Sequence, residues 1–269
     1  MITAAVIAVV ALGTLVFGLW WAQERLVFQP SPPPYPAGEP ATRVAYRADD
    51  GRQLFGYVIG DSSHAAAQGV VIMFHGNADL AAWRVPWGEE VARRTGRMVM
   101  LAEYRGYGGI SGPPTVPGVR SDAEAALAWV RQHTSAPMSR IAIYGHSLGS
   151  AVAAELAVTN QPEVLLLESP FSSARNMARI IIAAPLERVW RFVSRVHYDT
   201  GERVRELETP VWVAHGEDDL IIPIRMGREV FDAARNPGRL LAIDGAGHND
   251  VPERGGEAYW QWVASALTK

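Results

Sequence analysis

The chain has 269 residues, 48% of them hydrophobic, with 25 Lys and Arg against 28 Asp and Glu and a formal net charge of -3 at pH 7. That length is ample for a full hydrophobic core in one α/β domain or two small ones, and so even a charge balance leaves no basic footprint for nucleic acid. The chain has no cysteine, which excludes disulfide frameworks, thiolate zinc sites, iron–sulfur ligation and a cysteine nucleophile.

Ile2 to Trp21 reads ITAAVIAVVALGTLVFGLWW without a charge. As a helix rising 1.5 Å per residue it covers ~30 Å, the thickness of a bilayer's hydrocarbon core. No basic segment precedes it and no small-x-small cleavage site follows Trp20-Trp21-Ala22, so residues 2–22 read as an uncleaved transmembrane anchor rather than a signal peptide. The two indoles suit the headgroup interface. Arg25, Arg43, Arg47 and Arg52 follow the anchor, and positive-inside counting leans toward a cytoplasmic body, with Glu24 opposing it. Residues 23–41 include Pro30 to Pro40, PSPPPYPAGEP, which is expected to form an extended spacer holding the next domain off the membrane.

The remaining residues, 42–269, alternate strands and helices. Val44 to Tyr46 and Gln53 to Ile59, separated by Asp50-Gly51, read as an opening hairpin. Val70 to Phe74, Met98 to Ala102, Ile141 to Tyr144, Val164 to Leu167, Val211 to Ala214 and Leu240 to Ile243 are continuous apolar runs, the mark of strands buried on both faces. Between them lie segments of helical period, with Ala123, Ala126, Leu127 and Val130 forming one stripe and Val230, Phe231 and Ala234 another. The pattern predicts a mainly parallel sheet covered on both faces, with ligands beyond the carboxyl ends of its strands.

Gly145-His146-Ser147-Leu148-Gly149 falls at such an end, between a buried strand and a helix-prone run. A GxSxG pattern by itself is weak evidence, but in this context it reads as a nucleophile elbow: the flanking glycines relieve clashes and the serine oxygen stands exposed. Serine needs a base. Of the seven histidines, His248 lies just beyond the last apolar strand, in the chain order Ser, Asp, His. Asp218 and Asp219 both follow the strand ending at Ala214 and either could orient that histidine; spacing does not separate them. Backbone N–H groups of Leu148, on the elbow, and Asn77, in the loop after VVIMF, are the expected oxyanion donors.

In order, HGNA, YRGYGGISG, GHSLGS, ESPF, HGEDDLIIP and GAGHND resemble the α/β-hydrolase superfamily, and within it the membrane-anchored group named after yeast Bem46. The likeness covers roughly residues 26 to 266 and includes Leu26-Val27-Phe28-Gln29-Pro30. It implies the α/β-hydrolase fold and a Ser–Asp–His triad in which Ser147 is nucleophile, His248 base and Asp219 acid, with Asn77 and Leu148 matching the oxyanion donors. Glu103 departs from the pattern, since relatives more often carry Asp there; the change leaves the triad intact and is expected to alter hydrogen bonding in that loop. Cousins that open epoxides or remove halides carry Asp at the nucleophile position, so Ser147 points instead to acyl transfer to water.

Residues 171–209 form a long insertion, expected to be a small helical lid. Leu186, Val189, Trp190, Val193 and Val196 keep helical spacing while Arg188, Arg191 and Arg195 occupy another face, which suits a cap helix or a helix on an anionic membrane. A lid near a bilayer would admit lipidic acyl chains. Glycine-rich Gly106 to Gly112 lacks dinucleotide spacing, and there is no HExxH pattern. No cofactor and no metal are expected. The predicted function is a membrane-tethered hydrolase of carboxylic esters or thioesters, with a small-molecule or lipid-like acyl substrate. An amidase or peptidase, or a non-catalytic tethered binding protein on the same scaffold, is the alternative.

Overall fold

The computed structural model describes residues 2–36, 41–181, 187, 190 and 194–268, without the side chains of residues 2–5, 8, 9, 12 and 19. Eight strands form one sheet in the order β1-β2-β4-β3-β5-β6-β7-β8. The hairpin β1 (Thr42–Arg47) and β2 (Gln53–Ile59) is antiparallel and adds antiparallel to β4 (Met98–Ala102). From β4 onward, through β3 (Val70–Phe74), β5 (Ile141–His146), β6 (Val164–Glu168), β7 (Val211–Gly216) and β8 (Pro237–Ile243), every pairing is parallel. The mainly parallel sheet read from the apolar runs is thus present. β3 to β6 are buried at every position, and each Val, Leu or Ile so enclosed contributes about 1.5–3 kcal/mol.

Helices α1 (Ile2–Val27), α2 (Ala65–Gln68), α3 (Val85–Thr95), α4 (Val116–Thr134), α5 (Leu148–Asn160), α6 (Ala174–Ile181), α7 (Thr200–Arg205), α8 (Ile224–Ala233) and α9 (Val251–Leu267) complete the described elements. α3 and α9 lie together on one face of the sheet, joined by the hydrogen bond from Trp87 Nε1 to Tyr259 Oη at 2.8 Å. α4, α5, α7 and α8 cover the other. The chain passes from β3 outward to β4 and then back across to β5, so strand order reverses between β3 and β5. A crevice forms beyond the carboxyl ends at such a reversal. In register, Phe74 stands beside Gly145, His146 beside Glu168, Glu168 beside Ala214, and Gly216 beside Ile243. The loops leaving these strands therefore emerge along one edge.

Two expectations about the amino-terminal region change. Among the described residues no helix is long and apolar enough to cross a membrane, so the transmembrane reading of residues 2–22 gains no support from the structure; what it shows is a 26-residue helix, α1, with Val6, Ile7, Val10, Leu15, Phe17, Trp20 and Trp21 exposed. Nor do residues 23–36 stand off the body as a spacer. Gln23, Phe28 and Ser31 are buried, and Phe28 packs edge-on against Tyr198 with ring centroids 6.2 Å apart. Extended proline-rich chain costs little ordering entropy when an apolar anchor such as Phe28 can seat it.

Of the expected lid, α6 and α7 are described. Leu186, Arg188, Val189, Arg191 and Val193 lie outside the described residues. Trp190 and Val196 are buried, while the Arg195 guanidinium lies 4.1 Å over the Trp20 ring and donates to the Trp20 carbonyl at 3.2 Å. Arg195, though exposed, thus contacts α1.

Candidate active site

Ser147 occupies the turn between β5 and α5 with φ 52° and ψ -117°, a conformation rarely tolerated by an L residue. Such backbone costs on the order of 1–3 kcal/mol and persists only where the surroundings impose it. Here the Ser147 N–H donates to the Glu168 carbonyl at 2.9 Å, and its carbonyl accepts from the N–H and hydroxyl of Ser150. The flanking glycines supply space, not a special φ: a methyl group at Gly145 would strike the Gly149 carbonyl, and one at Gly149 would strike the Phe74 carbonyl. α5 can therefore begin directly against β3 and β5.

The His248 imidazole, in the loop after β8, places Nε2 2.8 Å from Ser147 Oγ and Nδ1 2.7 Å from Asp219 Oδ2. Asp219 lies in the turn after β7, where its Oδ1 accepts from the N–H groups of Ile221 at 2.9 Å and Ile222 at 2.8 Å. Burial works against the Asp219 carboxylate, but the His215 and His248 imidazoles and the Ile222 N–H more than offset it, holding the group well below the usual carboxylate range. Asp218, which spacing could not distinguish from Asp219, is exposed.

The loop after β3 lies against the nucleophile. A methyl group at Gly76 would come 3.1 Å from Ser147 Cβ and 3.0 Å from His146 Nδ1. Asn77 follows in that loop, and no acceptor among the described residues takes its backbone N–H. Leu148 is the first residue of α5, so its N–H has no partner within the helix. Beneath the loop, His75 donates from Nδ1 to the Gly76 carbonyl at 2.9 Å and from Nε2 to Glu103 Oε1 at 2.6 Å. Glu103 Oε2 accepts from the Ala81 N–H at 3.1 Å. Glu103, noted in the sequence as a departure, thus ties β4 to both ends of this loop.

With both ring nitrogens set against acceptors, the His75 site favours an imidazolium. Burial disfavours that charge, but Glu103, with help from Asp79, outweighs the penalty and lifts His75 above its ordinary titration range. A histidine pKa raised by folding stabilises the native state fully below about pH 6.5, and the gain fades as pH rises through the raised value. Glu103→Gln is therefore expected to cost about 3 kcal/mol at pH 6 and measurably less at pH 9, read from urea melts at the two pH values. An equal cost at both would show that His75 does not change protonation between them.

A second polar cluster backs the elbow; its trace in the sequence is the histidine and glutamate inside GHSLGS and ESPF. Neutral His146 donates from Nε2 to the His248 carbonyl at 3.2 Å and accepts at Nδ1 from Arg84 at 3.2 Å. Burial, then the Arg84 and His248 charges, push its pKa well down. Arg84 is in turn paired with Asp79. Glu168 Oε2 accepts from Tyr144 and from Tyr259, the latter at 2.7 Å, and burial raises its pKa. Of the other histidines, His64, His133 and His197 are exposed, while buried His215 donates to the Ile222 carbonyl at 2.8 Å and places Nε2 3.3 Å from Asp219 Oδ2. Among the described residues no group of His, Asp and Glu is arranged to hold a metal ion.

The family described as having the alpha/beta hydrolase fold matches residues 69–206. Over 98% of its length the chain is 35% identical to protein Rv2307c of Mycobacterium tuberculosis, covering 94% of that protein. It is 26% identical to protein bem46 of Schizosaccharomyces pombe, over 84% of this chain and 76% of the other. It is also 29% identical to the lysophosphatidylserine lipase ABHD12 of Danio rerio, over 65% of this chain and 49% of that protein. Among solved structures, the Pyrococcus furiosus esterase Pf2001 superposes with a TM-score of 0.69 at 18% identity, over 89% of this chain and 97% of its own, a likeness of fold.

Proposed function

This chain belongs to the alpha/beta hydrolase family, and from that premise we propose that it is a membrane-tethered serine hydrolase that cleaves carboxylic ester or thioester bonds through Ser147, His248 and Asp219. The observation that carries the proposal is the continuous chain of hydrogen bonds from Ser147 Oγ through both nitrogens of His248 to Asp219, 2.8 and 2.7 Å long.

In that chain Asp219, kept ionised, accepts from His248 Nδ1 and so leaves Nε2 unprotonated and facing the serine. His248 removes the Ser147 proton as Oγ attacks the acyl carbon, and the carbonyl oxygen becomes an oxyanion. The Leu148 and Asn77 N–H groups are its donors, and the amino end of α5 favours the same charge. His248 then gives its proton to the departing alcohol or thiol. Water, deprotonated by His248, attacks the acyl-enzyme, and the acid leaves with Ser147 restored.

Lipid-like acyl chains fit this reading. The related Danio rerio protein is named a lysophosphatidylserine lipase, and Val27, where α1 ends, is bonded to Asn77 in the loop beside the nucleophile. Membrane tethering through α1 rests on the charge-free run from Ile2 to Trp21. The arginines that follow it favour the cytoplasmic side.

The test uses the full chain in isolated membranes, washed with alkaline carbonate and treated with a fluorophosphonate probe. The expected result is a labelled protein in the pellet, the label mapping by mass spectrometry to the peptide containing Ser147. Nitrophenyl esters should turn over faster as the acyl chain lengthens. Release into the supernatant would overturn the tether, and label on another residue would overturn the nucleophile.

A further inference from the structure

Three residues at the end of the apolar helix and just beyond it, Val27 to Gln29, lie directly on the loop that carries Asn77. The Asn77 side chain is the clasp. Its Nδ2 donates to the Val27 carbonyl at 2.7 Å, and its Oδ1 accepts from the Gln29 N–H at 3.0 Å. The same Oδ1 accepts from the Tyr107 hydroxyl at 2.6 Å. One residue on, the Ala78 N–H donates to the Gln29 carbonyl at 2.9 Å, and Ala78 itself has φ 50°. A non-glycine residue in the left-handed region needs its surroundings to hold it there, and at Ala78 the holding partner is the Gln29 carbonyl.

The strap is itself anchored at both sides. Phe28 is buried against Tyr198. One turn earlier in α1, Glu24 Oε1 accepts from the Val116 N–H at 3.3 Å, and Gln23 accepts from the Arg195 N–H. From its far end the loop is fixed by Glu103 and by the Tyr104 hydroxyl, which donates to the His75 carbonyl at 3.0 Å. Between these ends, Gly76 lies against Ser147, and the next two residues, Asn77 and Ala78, are held by the strap.

We infer that Val27 to Gln29, clasped by the Asn77 side chain and Tyr107, are positioning residues that aim the Asn77 backbone N–H at the oxyanion, so that the end of the amino-terminal helix is part of the catalytic assembly. The inference rests on the serine-hydrolase reading above. Because a hydrogen-bond donor contributes to the rate only when aimed at the developing charge, loss of the clasp acts on kcat while the ester still binds. Removing the side chain of Asn77 leaves its backbone N–H present but unaimed, which separates position from chemistry.

The experiment uses the full chain in detergent micelles with a nitrophenyl ester, comparing wild type with Asn77→Ala, Asn77→Asp, Tyr107→Phe and Phe28→Ala. Asn77→Ala is expected to lower kcat by about 10²-fold with KM changed by less than about threefold and the pH midpoint of kcat/KM unmoved. Asn77→Asp keeps the acceptors but faces the Val27 carbonyl with a carboxylate, and should fall nearly as far. Tyr107→Phe and Phe28→Ala should each lower kcat by several-fold at unchanged KM. Wild-type kcat in Asn77→Ala, or a loss carried by KM, overturns the inference. Where Asn77→Ala fails to fold, Tyr107→Phe and Phe28→Ala decide it in the same way. If Ser147→Ala were to retain activity in parallel, it would be the serine-hydrolase reading that failed.

Discussion

Alanine at Ser147 is expected to lower kcat by about 10⁶-fold while leaving the fold intact. The magnitude follows from how a triad acts: its members work as a unit, and losing the nucleophile removes almost all of the covalent route. A residual rate of about 10³-fold over water would remain from the oxyanion donors and from binding. The Ser147 hydroxyl makes the bond to His248 Nε2, whereas the strained turn is held by its backbone N–H and carbonyl. The substitution therefore removes the chemistry without removing the structural contacts, and the thermal midpoint should move by no more than a few degrees. Purified variant and wild type, assayed with the same ester and melted side by side, give both numbers. Retained activity in the folded variant would rule out Ser147 as nucleophile.

Asp219→Asn is the second large effect, a fall in kcat of about 10⁴-fold. An amide of the same shape can keep a hydrogen bond to His248 Nδ1, but turned to meet the N–H donors of Ile221 and Ile222 with its carbonyl it presents its NH₂ to the imidazole. His248 then accepts at Nδ1 and carries its proton on Nε2, where it blocks deprotonation of Ser147. The loss is one of tautomer, so activity should recover partly as pH rises. The same substitution also removes a carboxylate that folding has made more acidic. Such a group stabilises the native state above its unfolded pKa near 3.9 and ceases to as pH falls through the depressed folded value. The variant should accordingly lose less stability on acidification than wild type between pH 5 and pH 2, values spanning about that window. A small drop in kcat would instead assign the orienting role elsewhere.

Much of this could be read from local sequence because the responsible forces are local. Continuous apolar runs such as VVIMF can only be satisfied by burial on both faces, and they became β3 to β6 with boundaries shifted by at most a residue or two. Gly145 and Gly149 report the close approach of α5 to β3, because any side chain there would meet backbone. The choice between Asp218 and Asp219 was not local. Both sit in one turn, and only the position of a loop 29 residues further on, entering from β8, decides that Asp219 meets His248. Adjacent residues in a turn point in different directions, and spacing carries no record of which direction the partner comes from.

The same holds for the clasp on Asn77 and the cluster behind the elbow. Asn77 and Val27 are 50 residues apart, and a proline-rich segment reads as a spacer until a buried Phe28 shows where it is seated. His146, Arg84 and Glu168 carry no periodicity or motif that links them to one another. By itself the sequence determined the sheet, the elbow and the types of residue available for chemistry, since these follow from hydrophobic pattern and from steric demands within a few residues. What holds the loop of Asn77, where the amino-terminal segment lies and, beyond what family likeness implies, how Asp219 comes to face the histidine were settled by the tertiary structure, because each depends on hydrogen bonds between groups that come together only when strand ends from across the chain are set along one edge of the sheet.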